Sequence, residues 1–337
     1  MYSPHLSAAP TSWYAVAFSD ELKPGQLVAR ALGGHPVVIF RGASGAIGAI
    51  DAICPHLGAH LGHGGLVVED TVQCPFHGFC FDGEGRCVRT GYDTAPPPRA
   101  RGRRWEVRER HGLVLLWLDE TGAPPRFEIP DLDMEGWTPP RWTTLRVRGN
   151  VQEIGENSVD MGHFSWVHRY RGFQATRELE VSGGTLRAGY RFRRPGAALG
   201  QREGFDVHID IFQHGLGYAL VETDLAAMGL RTRQWVLARP GDADHVELSI
   251  AMSVQRVQRP GLIHPLLKLL PRGLLTAIIA RAAFEVYRSD VNQDRSIWDN
   301  KRYLPRPALA EGDGPIGRYR QWARQFHGGT AEAPEAP

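Results

Sequence analysis

Cysteine is scarce in this chain: four residues in 337, at Cys54, Cys74, Cys80 and Cys87. That is too few for a disulfide framework, and a chain of this length buries enough surface to fold without one. No charge sign dominates either. The 39 basic and 37 acidic side chains leave a formal net charge of +2, which argues against a general nucleic-acid partner. Long apolar runs are missing. The most apolar stretch, residues 261–287, is broken by Pro265, Lys268, Pro271, Arg272 and Arg281, and its uncharged runs fall well short of the ~20 residues that span a bilayer. Residues 1–12 lack a basic region followed by an apolar core and do not read as a signal peptide. A cytoplasmic protein without a transmembrane segment is expected, with loose surface association through residues 262–270 as the less favoured alternative. Nucleotide-binding and hydrolase signatures are absent as well: Gly42-Ala-Ser-Gly45-Ala-Ile-Gly48 lies between two strand-like runs and reads as a hairpin loop.

Turn formers are plentiful, with 39 glycines and 24 prolines, and the first third reads as all β. Apolar runs at 26–31, 35–40 and 46–52 are separated by turn signals, and 105–109 with 113–118 predicts a hairpin around His111-Gly112. The Pro/Gly-rich stretch from Thr121 to Arg126 marks a boundary, giving domains over 1–122 and 123–327 and a disordered tail over 328–337. In the second domain, residues 152–170 have a helical pattern. Phe205, Val207, Ile209 and Ile211 alternate with polar residues, as on a half-buried strand. A hairpin is expected over 231–254, and helices over 272–300 and 316–326. The overall class is α+β.

Fourteen histidines are available, and some stand in informative company. Cys54-Pro-His56 precedes Cys74-Pro-Phe-His77-Gly78, a spacing that suits one metal centre held between two loops. A Cys2His2 zinc site uses the same ligands, but C-x-H and C-x2-H on two turns of a β domain lack the ββα pattern of a finger. Further on, Glu156-Asn157-x2-Asp160-x2-His163-x4-His168 places two histidines and acids together, as in a facial triad for non-haem Fe(II). On one regular helix Asn157, Asp160 and His163 share a face. His168 would lie ~140° from His163 there, so the helix must end or distort for both rings to reach one ion.

The first constellation resembles the Rieske [2Fe–2S] motif, and the two together resemble the oxygenase component of Rieske non-haem iron oxygenases over about residues 13–327. That resemblance implies an N-terminal all-β Rieske domain followed by a helix-grip (Bet v1-like) catalytic domain. It implies a cluster on Cys54, His56, Cys74 and His77, and a mononuclear Fe(II) that uses O2 on His163, His168 and a late aspartate. Gln293-Asp294-x2-Ile297-Trp298 looks like the family pattern and selects Asp294, with Asp290 as the alternative. Asn157 then approaches the iron without ligating it. Asp160 joins His163 to His77 of a neighbouring subunit in a homotrimer.

Ala59 and Phe76 stand where respiratory Rieske proteins carry two further cysteines, so the cluster is of the low-potential oxygenase type. Cys80 and Cys87 are expected to be buried strand residues. Electrons must come from a flavin-dependent NAD(P)H reductase, with or without a ferredoxin. The basic run Arg99-Ala-Arg101-Gly-Arg103-Arg104 is either a docking patch for that donor or a solvated rim balanced by Glu106 and Glu109. Several segments, including Asp313-Gly-Pro-Ile-x2-Tyr-Arg320-x-Trp322, look like 3-ketosteroid 9α-hydroxylase oxygenases and cholesterol 7-desaturases, the animal members of which carry an N-terminal membrane segment not seen here. A bulky apolar substrate, steroid-like or polycyclic, is therefore expected to be hydroxylated, demethylated or desaturated. Phe205, Val207, Ile209 and Ile211 are its candidate cavity wall, or plain core. The competing readings are the same chemistry on a small aromatic or natural-product intermediate, and a Rieske electron carrier with a non-catalytic second domain.

Overall fold

In the computed structural model, which describes residues 6–195, 204–241 and 244–328, the N-terminal part is all β. Its strands are β1 (Ser12–Phe18), β2 (Leu27–Leu32), β3 (His35–Arg41), β4 (Ile47–Asp51), β5 (Leu66–Val68), β6 (Thr71–Gln73), β7 (Cys80–Phe81), β8 (Cys87–Arg89), β9 (Val107–Arg110) and β10 (Leu113–Leu118). They make three antiparallel sheets, ordered β2-β3-β4, β5-β6-β7-β8 and β1-β10-β9. The β9–β10 turn falls on His111 (φ 54°) and Gly112 (φ 79°), a two-residue turn in which both residues must be left-handed.

The second part is built from β11 (Arg141–Arg148), α1 (Val151–Glu156), α2 (Met161–Trp166), β12 (Arg171–Ser182), β13 (Thr185–Arg194), β14 (Phe205–His214), β15 (Tyr218–Leu225), β16 (Leu230–Pro240), β17 (His245–Val254), α3 (Arg272–Trp298) and α4 (Ile316–Ala323). Its seven strands form one antiparallel sheet, β11-β17-β16-β15-β14-β13-β12. The 27-residue α3 lies against that sheet. Ala280, Phe284, Tyr287, Val291, Asp294 and Trp298 form its buried stripe, at alternating spacings of four and three. Five of the six are apolar. Asp294 is the exception.

The two parts share a core. Trp13 and Trp117 from the first pack with Tyr218 and Trp235 from the second, and Phe18 stacks on Trp142 at 4.1 Å. Backbone also meets backbone here: a side chain at Gly217 would run into the carbonyl of Trp13. Among the described residues no helix is long and apolar enough to cross a membrane. The expected tail lies outside the described residues from 329 onward, as do 242–243 in the β16–β17 turn.

The chain's last turns brace the segment that carries the sequence's second histidine pair. Asn150 caps α1, accepting from Gln152 N, while Glu153 accepts from Asn150 N. Arg320 of α4 holds Glu156 through two bonds, of 2.6 and 2.9 Å. His327 accepts from Ser7 N at 3.0 Å through Nδ1 and donates to Gln152 Oε1 at 2.7 Å through Nε2, a pattern only the neutral ring satisfies. Burial lowers its pKa from 6.5 to about 4.

Two predictions follow from this bracing. An unfolded His327 titrates near 6.5, so the stability contributed by its neutral ring is complete above that pH and is lost as pH falls toward 4. Urea unfolding across that window should steepen for the native chain and flatten for His327→Gln; an identical slope contradicts this origin. The Glu156–Arg320 pair is largely buried, with 9 % and 14 % side-chain exposure. Arg320→Met should therefore cost about 3–5 kcal/mol by stranding the carboxylate, and Glu156→Gln in the same chain should recover part of it. A loss below about 1 kcal/mol would place the pair among ordinary surface bridges.

Candidate metal centres and cavity

Two tight turns of the β domain present the first constellation. Cys54 N donates to Ala59 O and Gly58 N to Cys54 O; likewise Cys74 N donates to Phe79 O and Gly78 N to Cys74 O. The two loops are therefore alike and face each other. Cys54 and Cys74 are 2 % and 3 % exposed, inside the domain core with Phe79 and Phe81. The rings of His56 and His77 lie 4.8 Å apart, and Phe79 stacks on His56 at 4.3 Å.

This donor set fits an iron–sulfur cluster. Burial, with the Cys74 thiol alongside, pushes the Cys54 thiol up to about 11 against the backbone N–H groups of His56 and Leu57. A thiolate there needs a metal for company. The buried Nδ1 of His77 has no hydrogen-bond partner among the described residues. Around the loops, Leu57, Phe76 and Tyr92 are exposed. Cys80 is buried as expected, whereas Cys87 is only half-buried, its sulfur against Arg89 O. Within the basic run Arg104 pairs with Glu84 and Glu106 and Arg103 lies over Trp105, while Arg99 and Arg101 are exposed. Of the two acids expected to balance the run, Glu106 does so and Glu109 pairs with Arg41 instead.

At the second constellation the expectation of one helix is corrected. Residues 151–166 form two six-residue helices, broken at 157–160, so Asn157, Asp160 and His163 do not share a helical face. Asp160 has extended backbone and caps α2, its carboxylate accepting from His163 N at 3.1 Å. Asx residues compete with a helix in this way, and the break follows from it. The C-terminal segment fixes the break from outside: Met161 N donates to Asp313 O, and a side chain at Gly314 (φ 86°) would strike Val159 O. The expected distortion before His168 is present. Helix α2 ends at Trp166, and Arg169 turns left-handed (φ 61°).

His163, His168 and Asp294 converge, each offering a ligand atom within 4.8 Å of the others. His163 Nδ1 lies 2.6 Å from Asp160 O, a carbonyl that only accepts, so Nδ1 carries the proton and Nε2 keeps a lone pair. His168 Nε2 lies 3.4 Å from Asp294 Oδ2. Burial opposes protonation of His168, yet the Asp294 carboxylate, with Asp290 behind it, raises its pKa above the ordinary value. The group thus draws in a positive charge. Burial acts to raise the Asp160 carboxyl, but its contacts with His163 and the Gly162 N–H leave it below the usual range. Asp290 is occupied elsewhere, paired with Arg194 at 2.8 Å and accepting from Tyr170 OH at 3.2 Å. Sequence reading missed Arg194 and Tyr170; no local pattern links positions 96 and 120 residues apart.

Above the triad opens a cavity of about 520 Å³ between sheet and α3. Phe205, Val207, Ile209 and Ile211 line it, together with Val221, Leu230, Val236 and Met252 from the sheet and Ile279, Ala283 and Tyr287 from α3. Val207 and Ile211 are also core, at 3 % and 2 % exposure, so the two readings of this strand face describe the same side chains. Asn157 borders the cavity from the break, and Gln213, Thr223, Thr232 and Gln234 add a few polar groups. Phe164, Phe173, Tyr170 and Phe192 stack beside His168.

Comparison with known proteins accords with this geometry. Residues 12–98 match the Rieske [2Fe-2S] domain, and residues 116–327 match the 3-Ketosteroid 9alpha-hydroxylase C-terminal domain. The chain is 30% identical to a cholesterol 7-desaturase of Ciona intestinalis, over 94% of this chain and 68% of that one. It is 27% identical to a 3-ketosteroid-9-alpha-monooxygenase oxygenase component of Rhodococcus rhodochrous, over 96% and 84%. Among solved structures, dicamba monooxygenase bound to dicamba shares the fold at a TM-score of 0.66 and 22% identity, covering 94% of this chain and 96% of that one. NdmA of Pseudomonas putida CBB5 with caffeine does so at 0.67 and 18%, covering 93% and 89%. The family uses a [2Fe–2S] cluster, mononuclear iron and O2, with electrons supplied by reductase or ferredoxin partners. The chain belongs to the Rieske oxygenases, as an oxygenase component with a 3-ketosteroid 9α-hydroxylase type of C-terminal domain.

Proposed function

We propose that Cys54, His56, Cys74 and His77 hold the [2Fe–2S] cluster and that His163, His168 and Asp294 hold the mononuclear Fe(II), the site at which a bulky apolar substrate is oxidised. The convergence of two imidazoles and a buried carboxylate at an apolar cavity carries this reading. Asp294 is preferred to Asp290 because the latter is already paired with Arg194. When bound, the iron supplies O2 activation, which is the chemistry that two histidines and one carboxylate with open positions support.

The chain's own residues do the rest. Asp160 fixes the His163 tautomer and ring orientation through its carbonyl. The carboxylate of Asp160 remains 31 % exposed, open to a second imidazole N–H. In the proposed homotrimer that donor is His77 of a neighbouring copy, and the carboxylate links the two centres. Asn157 stands at the cavity edge and approaches the iron without ligating it. A cavity of about 520 Å³ lies within the roughly 300–1,000 Å³ of drug-sized ligand sites. Its aliphatic walls suit a fused-ring hydrocarbon frame, and the names of the relatives point to sterols and 3-ketosteroids. Hydroxylation, demethylation and desaturation are all open to such a site. The electron donor we propose is a flavin-dependent NAD(P)H reductase, directly or through a ferredoxin. The working division of the chain is 1–122 for electron entry and 123–327 for the reaction.

Metal analysis separates the roles. The native chain should carry about three irons and Asp294→Asn about two, with the cluster spectrum unchanged, whereas Asp290→Asn keeps three. Two irons in the native chain, or a full complement in Asp294→Asn, would sink the ligand assignment and favour an electron carrier. Asp160→Asn should keep both metal sites filled while turnover falls by about 10–100-fold, the usual cost of a lost outer-shell partner. Retained turnover contradicts the bridge.

A further inference from the structure

Residues 256–284 contain five cations, Arg256, Arg259, Lys268, Arg272 and Arg281, and not one carboxylate. The whole chain has a net charge of only +2, so this stretch exceeds the entire excess and the rest of the chain is net negative. All five side chains are exposed, and none forms an ion pair among the described residues, in contrast to Arg288 and Arg295 just beyond.

The same stretch exposes large aliphatic side chains. Leu262, Leu266, Leu269, Leu274 and Ile278 are 46 %, 66 %, 82 %, 54 % and 51 % exposed. Their neighbours Ile263, Leu267, Leu270 and Ile279 turn inward onto the core, and Ile263 and Ile279 line the cavity. The segment is thus two-sided: one face is cavity wall, and the other is apolar and set among unpaired cations. Soluble surfaces rarely carry so dense a patch without something to cover it.

Charge decides what covers it. Leucines interleaved with lysine and arginine, without acids, are the composition of segments that lie in the boundary of an anionic bilayer, where each cation adds attraction and each leucine adds burial. The stretch exposes none of the aromatic side chains that the core of a protein interface favours. A meeting of this patch with its own copy would set the same cations against each other, and molar mass separates a contact with a different face of a neighbouring copy in the proposed trimer.

We propose that residues 259–281 dock this protein on an anionic lipid surface, with Leu266 and Leu269 entering the headgroup boundary. The cavity then opens beside the bilayer, from which an apolar substrate enters without crossing water. That purpose rests on the apolar-substrate reading; the binding itself does not.

The test is co-sedimentation of the metal-loaded full chain with phosphatidylcholine vesicles, with and without phosphatidylglycerol, alongside light scattering for molar mass. Binding should require the anionic lipid and weaken with salt. Leu266→Ser/Leu269→Ser and Lys268→Glu/Arg272→Glu should each weaken it by about tenfold or more, with cluster absorbance and circular dichroism unchanged. No partition onto anionic vesicles overturns the proposal. So does a leucine-pair variant that lowers the molar mass and leaves lipid binding intact, since the patch is then a contact between copies. Lipid binding without turnover of any sterol overturns the substrate reading alone.

Discussion

A carboxylate buried on the apolar stripe of a long helix is the constraint around which the second half of this molecule is arranged. Asp294 stands where the spacing of Phe284, Tyr287, Val291 and Trp298 calls for a hydrophobic side chain, and it is 8 % exposed. A charge in such a place costs several kcal/mol unless something positive answers it. The neighbours that answer are two imidazoles, one locked by Asp160 into the tautomer that leaves a lone pair inward. Neither can be a permanent cation. A divalent metal satisfies all three groups at once, and the raised affinity of His168 for a proton expresses the same demand.

Holding those imidazoles in place falls to short elements with little stability of their own. Two six-residue helices cannot persist alone, since nucleation outweighs so few internal bonds. They are held by contacts remote in sequence: Arg320 on Glu156, Asp313 on Met161, His327 on Gln152. The end of the chain thereby becomes part of the site's support. The cluster loops are held differently, by cysteines sunk in the core of the β domain and by repeated main-chain bonds across each turn. One centre depends on local geometry and the other on tertiary clamps.

Legibility in the sequence follows that division. Cys54, His56, Cys74 and His77 lie in short local patterns, and β2 to β4, together with the β9–β10 hairpin, are apolar runs bounded by turn formers. The alternation through Phe205, Val207, Ile209 and Ile211 marks β14, though periodicity could not say whether a buried face meets core or cavity. That Asp294 meets the two histidines was legible from a look-alike motif. A sharper signal was available, an acid on the stripe running from Ala280 to Trp298. The break at 157–160 was missed because a pattern of acids and histidines with helical spacing looks the same whether Asp160 lies within a helix or caps one. Long strands such as β12 and β13 carry charged residues throughout and give little periodic contrast. The Arg194–Asp290 pair is purely tertiary.

The central claim is that this chain binds one iron apart from the cluster, held by His163, His168 and Asp294. Mössbauer spectroscopy of protein grown on ⁵⁷Fe and isolated without oxygen tests it most directly. The account predicts that roughly one third of the iron gives a high-spin ferrous doublet typical of nitrogen and oxygen ligands, beside the two inequivalent sites of the cluster. Iron confined to the cluster components, with no such doublet after anaerobic loading with Fe(II), would contradict it.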